Sequence, residues 1–451
     1  METDTICAVS TALGVGAISI IRCSGQDSIK IVNRMFDGKN LEEVPSHTIH
    51  YGFIKDENGE KIDEVLISVM KSPKTFTTED VVEINCHGGI STTNKVLELL
   101  LTNGCRLATR GEFTKRAFLN GRIDLLEAEA IGDLINSETE SSRKMAINQI
   151  TGNLSLLIEN ARKDILDLLA NIAVNIDYPE YEDAEIITHD LLKQKLIPIK
   201  KKLENLLEES KNGKIIKEGI NVSIIGRPNV GKSSILNHLL NENKAIVTNI
   251  AGTTRDIVEG EIILKGIKLN LTDTAGIRKT DNIVEQIGVE KSKEILKNTE
   301  LVILVLNSSE NLTEEDEYLL NLTKNKKRII LLNKTDLPTK LEIKEEYILG
   351  NTTSTNGLDL LKNKICEMFN LEEINSKNLT FLSNARQISL VKQCVNLIDN
   401  ILTTIDTEIP IDMLEIDIKS TFDLLGEIIG KTYKEELIDE LFSKYCLGKW
   451  G

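Results

Sequence analysis

The sequence predicts a multidomain protein of mixed α+β and α/β class. An N-terminal α+β domain is followed by an all-α helical domain, into which a P-loop domain with a mainly parallel sheet is inserted. Three observations carry this reading. Residues 1–118 alternate short β-like runs with turn signals. Long helical patterns fill about 120–208 and return after about 377. Between them, strand-like and helix-like runs alternate around a glycine-rich phosphate motif, the pattern of a parallel sheet.

In the first region, "GAISIIR", "EVLISVM" and "DVVEINC" read as strands, and "DENGE" and "HGG" as turns. "STTNKVLELLLTNG" is the one helix-like run there. Further on, Leu192, Leu196, Ile199, Leu203 and Leu206 recur at spacings of four and three, which is one helix face. That pattern breaks at "ESKNGKIIKEG", residues 209–219. "INVSIIG", "IKLNLTDT", "LVILVLN" and "RIILLNK" follow as strands. The expected domains are 1–118, 119–216, 217–376 and 377–451, the second and fourth forming one helical domain. Two independent helical domains are the alternative; insertion is favoured because domain termini lie close together on the surface.

Bulk composition narrows the class. Of 451 residues, 41% are hydrophobic and 27% charged, as in ordinary soluble domains. A net charge of −16 argues against a general nucleic-acid coat. No apolar run reaches the roughly 18 residues a membrane span needs, and "METDTICAVSTALG" lacks the features of a secretory leader. The seven cysteines are scattered and form no C-x-x-C pair. Reduced thiols in a cytoplasm follow, with neither a zinc site nor a disulfide framework. Cys7, Cys23, Cys86, Cys105, Cys366 and Cys394 read as small core residues. His87 reads as a turn or packing histidine. Lys115, Arg116 and Arg122 read equally well as a ligand patch or a solvated basic face.

Four motifs in order specify a guanine nucleotide. "GRPNVGKS" (226–233) follows a strand-like run and precedes a helix-like one. Its backbone cradles phosphates, Lys232 reaches the β/γ-phosphates and Ser233 holds Mg²⁺. "AGTTRD" (251–256) supplies Thr254 as a switch hydroxyl for Mg²⁺. "LTDTAG" (271–276) supplies Asp273 for water-mediated Mg²⁺ contact and Gly276 for the γ-phosphate. In "NKTD" (333–336), the Asp336 carboxylate accepts two N–H bonds from guanine, whereas adenine would leave it unpaired at a cost of about 1–3 kcal/mol or more. A second guanine-contacting loop is weak: "YILGNTTSTNGLDLL" (347–361) has Asn351-Thr352 where Ser-Ala is usual. No residue is assigned there. The residue after D-x-x-G, a water-positioning glutamine in Ras-type enzymes, is Ile277. Arg278, Asp281, Glu285 and Gln286 are candidates for that task.

With "GRPNVGKSS", "AGTTRD", "DTAGIR" and "VEQIG", the chain resembles the TrmE-Era-Septin group of GTPases. "RGEFTKRAFLNGRIDLLEAEAIGDLI" (110–135) and the terminal "CLGK" (446–449) resemble the MnmE (TrmE) family, and the similarity spans essentially the whole chain. The resemblance implies a bacterial-type cytoplasmic GTPase that modifies the wobble uridine of tRNA. It implies a homodimer through the N-terminal domains and a heterotetramer with MnmG (GidA), which carries FAD and uses NADH. It also implies a 5-formyl- or methylene-tetrahydrofolate donor for a (carboxymethyl)aminomethyl or aminomethyl group at C5, with no membrane involved.

By matching position, the resemblance assigns GTP contacts to Asn229, Val230, Gly231, Lys232, Ser233 and Ser234. It adds the loop Thr248, Asn249, Ile250, Ala251, Gly252, Thr253 and Thr254. Asp273, Thr274, Ala275 and Gly276 follow, then Asn333, Lys334 and Asp336. Asn229, Thr248, Ile250 and Thr253 face K⁺, Ser233 and Thr254 face Mg²⁺, and Glu285 orients the attacking water. Folate falls to Arg22, Glu83, Arg122 and Lys449, a cation suiting the glutamate tail and a carboxylate the pterin N–H edge. Cys446 is either a nucleophile or structural. The family tail usually stops at the lysine, and Trp450-Gly451 extend it. An Era- or Der-like ribosome-assembly GTPase is the alternative; such proteins usually begin with the GTPase domain, which here starts near 217. A septin- or dynamin-like protein would need a basic amphipathic helix, and none is evident.

Overall fold

Strict alternation builds the N-terminal sheet. In "KIDEVLISVM", Val65, Ile67 and Val69 are buried while Leu66 between them faces solvent, so one face packs and the other does not. The computed structural model describes residues 4–177, 188–242, 260–273, 296–354, 356–376, 381–407, 410–432 and 435–444, with the backbone alone at some element ends, including Asp273. The chain divides into two compact units. One comprises residues 1–135, 149–200 and 390–451, the other 136–148 and 201–389.

The first unit opens with β1 (Ile6–Val9), β2 (Ile18–Ser24), α1 (Ser28–Met35), β3 (Phe36–Asp37), β4 (Thr48–Lys55), β5 (Lys61–Met70), β6 (Val81–His87), α2 (Ile90–Thr102) and β7 (Arg106–Leu107). The strands form one sheet in the order β3-β4-β5-β6-β2-β1-β7, antiparallel except for the β1–β7 pair. Val32 of α1 and Val96 and Leu100 of α2 join Val65, Ile67 and Ile84 in its core. Cys7, Cys23, Cys86 and Cys105 are buried there too.

Helices α3 (Glu112–Leu119), α4 (Leu125–Ile135), α5 (Glu140–Ile150), α6 (Asn153–Asp177) and α7 (His189–Glu218) follow. The buried stripe Leu154, Ile158, Ala161, Ile165, Leu168 and Ile172 of α6 keeps helical spacing. The α7 stripe, Leu192, Leu196, Ile199, Leu203 and Leu206, is wholly buried. Helix α7 does not end where its pattern breaks. It continues to Glu218 with Ile216 buried. Ser210 Oγ bonds Leu206 O, satisfying the hydroxyl within the helix. A Cβ on Gly213 would lie 2.7 Å from Phe381 Cβ, so the glycine that weakens the pattern lets another segment pack closely. Gly219, at φ +81°, then ends the helix.

The second unit contains β8 (Ile220–Ile225), α8 (Lys232–Glu242), β9 (Gly260–Leu264), β10 (Ile267–Asp273), β11 (Leu301–Asn307), α9 (Glu314–Leu322), β12 (Arg328–Asn333), β13 (Ile348–Leu349), α10 (Asp359–Met368) and α11 (Leu371–Ser376). Its sheet runs β13-β12-β11-β8-β10-β9, parallel apart from the β9–β10 hairpin. All seven residues of β11 are buried. Leu301, Ile303 and Val305 enter one core and Val302, Leu304 and Leu306 another, so the strand is covered on both faces, as parallel sheets require. α12 (Ala385–Ile405), α13 (Ile411–Ile429) and α14 (Glu435–Lys444) complete the chain. Within the first unit, Phe442 of α14 meets Phe118 of α3 at 5.9 Å between ring centroids.

Candidate active site

The phosphate motif occupies the turn between β8 and α8. β8 lies between β10 and β11, and the turn leaves its carboxyl end, where ligands bind in open parallel sheets. Asn229 and Gly231 take left-handed conformations, φ 65° and 101°. Glycine is required at 231, because a Cβ there would stand 2.2 Å from Asn333 Nδ2. Lys232 is buried, and its ammonium donates to Gly226 O (2.8 Å) and Arg227 O (2.9 Å). Ser233 and Ser234 stand exposed in the first turn of α8, while Val230 is buried beneath.

Asn333, at the end of β12, ties the guanine motif to this turn. Its Nδ2 donates to Val230 O at 2.8 Å. Its Oδ1 is buried without a hydrogen-bond partner, an orphan that fits a site completed by a ligand or a water. Lys334 has φ 63°, and its carbonyl accepts from Ser308 Oγ at 3.1 Å. Asp336 is exposed at the same sheet end. The Asp273 backbone pairs with Ile224, two residues before the turn, so β10 ends beside it.

The loop with no assigned residue proves to be organised by Asn351. Its Oδ1 accepts from Ser354 N–H (3.0 Å) and Ser354 Oγ (2.8 Å). Thr335 Oγ1, within the guanine motif, donates to Gly350 O at 3.2 Å. A side-chain knot of this kind replaces the usual small residues. The Asn-Thr-Thr-Ser run was the signal that could have found it.

A second cluster lies against the N-terminal sheet. Arg22 and Glu83 are register partners on β2 and β6. Arg22 Nε and Nη2 both meet Glu83 Oε1, at 2.8 and 2.7 Å. The Arg22 guanidinium lies 5.7 Å from the ring centroids of both Phe76 and Phe113. Arg122 stacks on Phe76 at 4.9 Å and donates to Phe76 O at 2.8 Å. The structure therefore brings together Arg22, Glu83 and Arg122, with Phe76 between the two cations. Neither phenylalanine was singled out from sequence, since each reads as an ordinary apolar residue.

Arg116 belongs to neither a solvated basic face nor a ligand patch. It is buried, bonding Asp4 (2.7 Å), Glu112 (3.0 Å) and Glu79 (3.1 Å). Arg106 joins through Glu112 (2.6 Å) and Asp4 (2.5 Å). Burial alone would raise the Glu112 carboxyl, but Arg106, the Thr109 N–H and Arg116 hold it down at about 2. Sequence hides this network because its members lie up to 112 residues apart. His87 is not a packing histidine: it stands exposed at the end of β6, where its Nδ1 meets Asp63 Oδ1 at 2.7 Å and Asp63 raises its pKa. Thr248 to Thr254, Thr274 to Gly276, Glu285, Cys446 and Lys449 lie outside the described residues. Among the described residues no acidic, histidine or cysteine cluster is built to hold a metal.

A P-loop on a mainly parallel sheet, locked to an N-K-x-D strand end, defines a P-loop GTPase, an enzyme that hydrolyses GTP. The profile described as MnmE helical domain matches residues 125–446, and that described as GTP-binding protein TrmE N-terminus matches 5–122. The tRNA modification GTPase MnmE of Ligilactobacillus salivarius (strain UCC118) is 53% identical over 457 residues, 99% of this chain and 98% of its own length. That of Bacillus cytotoxicus is 53% identical over 458 residues, covering all of both chains. Among solved structures, the G domain of the T. maritima FeoB iron transporter is 26% identical, covering 33% of this chain and 97% of its own at a TM-score of 0.26, too slight a likeness to carry weight. The chain belongs to the MnmE family.

Proposed function

We propose that this chain is the K⁺-dependent, GTP-hydrolysing component of a tRNA-modifying complex. It installs a (carboxymethyl)aminomethyl or aminomethyl group at C5 of the wobble uridine. A tetrahydrofolate derivative is the one-carbon donor, and the FAD-containing MnmG is the partner. The observation that carries this reading is 53% identity along essentially the full length of relatives named tRNA modification GTPases, in a chain whose N-terminal region also holds the Arg22–Glu83–Arg122 cluster.

The family resemblance gives each residue a role that its chemistry suits. Lys232 and the α8 N-terminus bind phosphate, Ser233 and Thr254 hold Mg²⁺, and Asp336 reads guanine. Asn229, Thr248, Ile250 and Thr253 hold K⁺, which supplies the positive charge an arginine finger gives elsewhere. Glu285 orients the attacking water in place of the missing glutamine. Arg22 and Arg122 suit the carboxylates of a folate tail, and the family resemblance adds Lys449 to them. Both Arg22 bonds fall on Glu83 Oε1, so Oε2 is available to a pterin N–H donor.

A homodimer through the N-terminal domains is supported by an exposed apolar face. Tyr51 and Leu66, cross-strand partners on β4 and β5, are 60% and 48% exposed, and Ile49 is 66% exposed. Apolar side chains grouped in this way mark contact surfaces. The reading is tested by mass spectrometry of wobble nucleosides from cells lacking the chain. Loss of the C5-modified uridine is expected; an unchanged nucleoside profile would overturn it.

A further inference from the structure

We infer that Arg227 is a positioning residue for the P-loop lysine, acting on Lys232 through its own backbone carbonyl. This concerns the nucleotide site itself and does not depend on the tRNA or folate reading.

Arg227 is the second residue of the phosphate turn, and its side chain is anchored outside that turn. Its guanidinium pairs with Glu310, and its Nε lies 3.2 Å from Asp316 Oδ2, an ion-pair contact without hydrogen-bond geometry. Both anchors are themselves fixed. Glu310 Oε1 accepts from Asn307 Nδ2 at 2.6 Å, which ties it to the end of β11. Asp316 closes the capping box of α9: its Oδ2 accepts from Thr313 N (3.1 Å) and Thr313 Oγ1 (2.8 Å). Its side chain is only 4% exposed, and its Oδ1 is buried without a hydrogen-bond partner. The guanidinium is thus the positive charge compensating a buried carboxylate, which makes the contact costly to release.

The main chain of the same residue faces the lysine. Lys232 Nζ donates to the carbonyls of Gly226 and Arg227. Gly226 has no side chain with which to hold its carbonyl, and Pro228 restricts the chain on the other side. The clamp on Arg227 therefore sets where both acceptors stand, and with them the ammonium that meets phosphate. Arginine suits the task because its delocalised charge can hydrogen-bond Glu310 while standing against the Asp316 carboxylate on another element. A lysine could hold one of them.

The test uses the full chain and two readouts. Arg227→Ala, Arg227→Gln and Glu310→Gln are compared with the unmodified protein. Glu310 is half exposed, so its neutral replacement removes one leg of the clamp without burying a lone charge. The first readout is affinity for a fluorescent GTP analogue, expected to fall roughly tenfold for the Arg227 variants, the scale of one charge-assisted hydrogen bond. A smaller loss is expected for Glu310→Gln. The second readout is the rate at which acetic anhydride labels each lysine in the nucleotide-free protein, followed by mass spectrometry. Lys232 should label severalfold faster in each variant that folds, while Lys268 and Lys362 of the same unit keep their rates. Unchanged labelling of Lys232 in Glu310→Gln and a folded Arg227 variant would overturn the inference. So would equal acceleration of all three lysines, which would mean general loosening of the unit.

Discussion

Replacing Glu112 by glutamine should weaken the N-terminal unit in a pH-dependent way. Glu112 accepts from Arg106 at 2.6 and 3.0 Å, from Thr109 N at 2.7 Å and from Arg116 at 3.0 Å. Its carboxyl is held at about 2, against an ordinary value of 4.5. That difference corresponds to ~3 kcal/mol favouring the charged form in the folded state. Because the folded value is depressed, the stability is fully present above about pH 5 and is lost as pH falls toward 2. Glu112→Gln keeps the shape and removes the charge. It should cost ~3 kcal/mol at pH 7 but only ~1 kcal/mol at pH 3, where the unmodified protein has already lost much of the same term. Urea unfolding followed by circular dichroism at both pH values reads this. A cost below ~1 kcal/mol at pH 7, or the same cost at both, would refute the assignment of the charge to this network.

Other expectations follow from the nucleotide and folate sites. If K⁺ supplies charge to the transition state, GTP turnover should be fast in KCl and slow in NaCl; equal rates would remove K⁺ from the mechanism. Glu285→Ala should keep GTP affinity and lose turnover, by at least the ~10²-fold typical of a lost proton-handling or water-positioning group. Loss of affinity instead would indicate a structural role. Arg22→Ala should weaken calorimetric binding of 5-formyltetrahydrofolate by roughly tenfold or more, because it removes a charge-assisted contact. Undiminished binding would place the folate elsewhere.

The phosphate turn was legible in the sequence because its chemistry is local. Gly231 and Lys232 sit at fixed spacing, and the strand before them and the helix after them carry their own periodicity. Strands β2, β5, β6, β8, β10, β11 and β12 were legible for the same reason, as runs such as "LVILVLN" show, whereas β1, β3, β4, β7, β9 and β13 were not. What escaped was set by partners distant in the chain. Arg116 looks like any surface arginine until Asp4 and Glu79 are brought to it. Gly213 reads as a break in a helix, yet it is the point where Phe381 approaches the helix axis. Asn351 looked like a departure from a motif, although its side chain builds the turn that small residues build elsewhere. Phe76 and Phe113 gave no signal, because their role is to lie under two cations supplied by β2 and by the residues just before α4.

One transfer experiment tests the proposed activity most directly. The purified chain is combined with the proposed flavoprotein partner, substrate tRNA, GTP, KCl, glycine or ammonium as the source of the amine nitrogen, and methylene-tetrahydrofolate carrying ¹³C in the one-carbon unit. The wobble nucleoside is then weighed. A C5-modified uridine heavier by one mass unit is expected, and none when Lys232→Ala replaces the unmodified chain. Modified uridine formed at full yield without the label, or formed equally by Lys232→Ala, would contradict it.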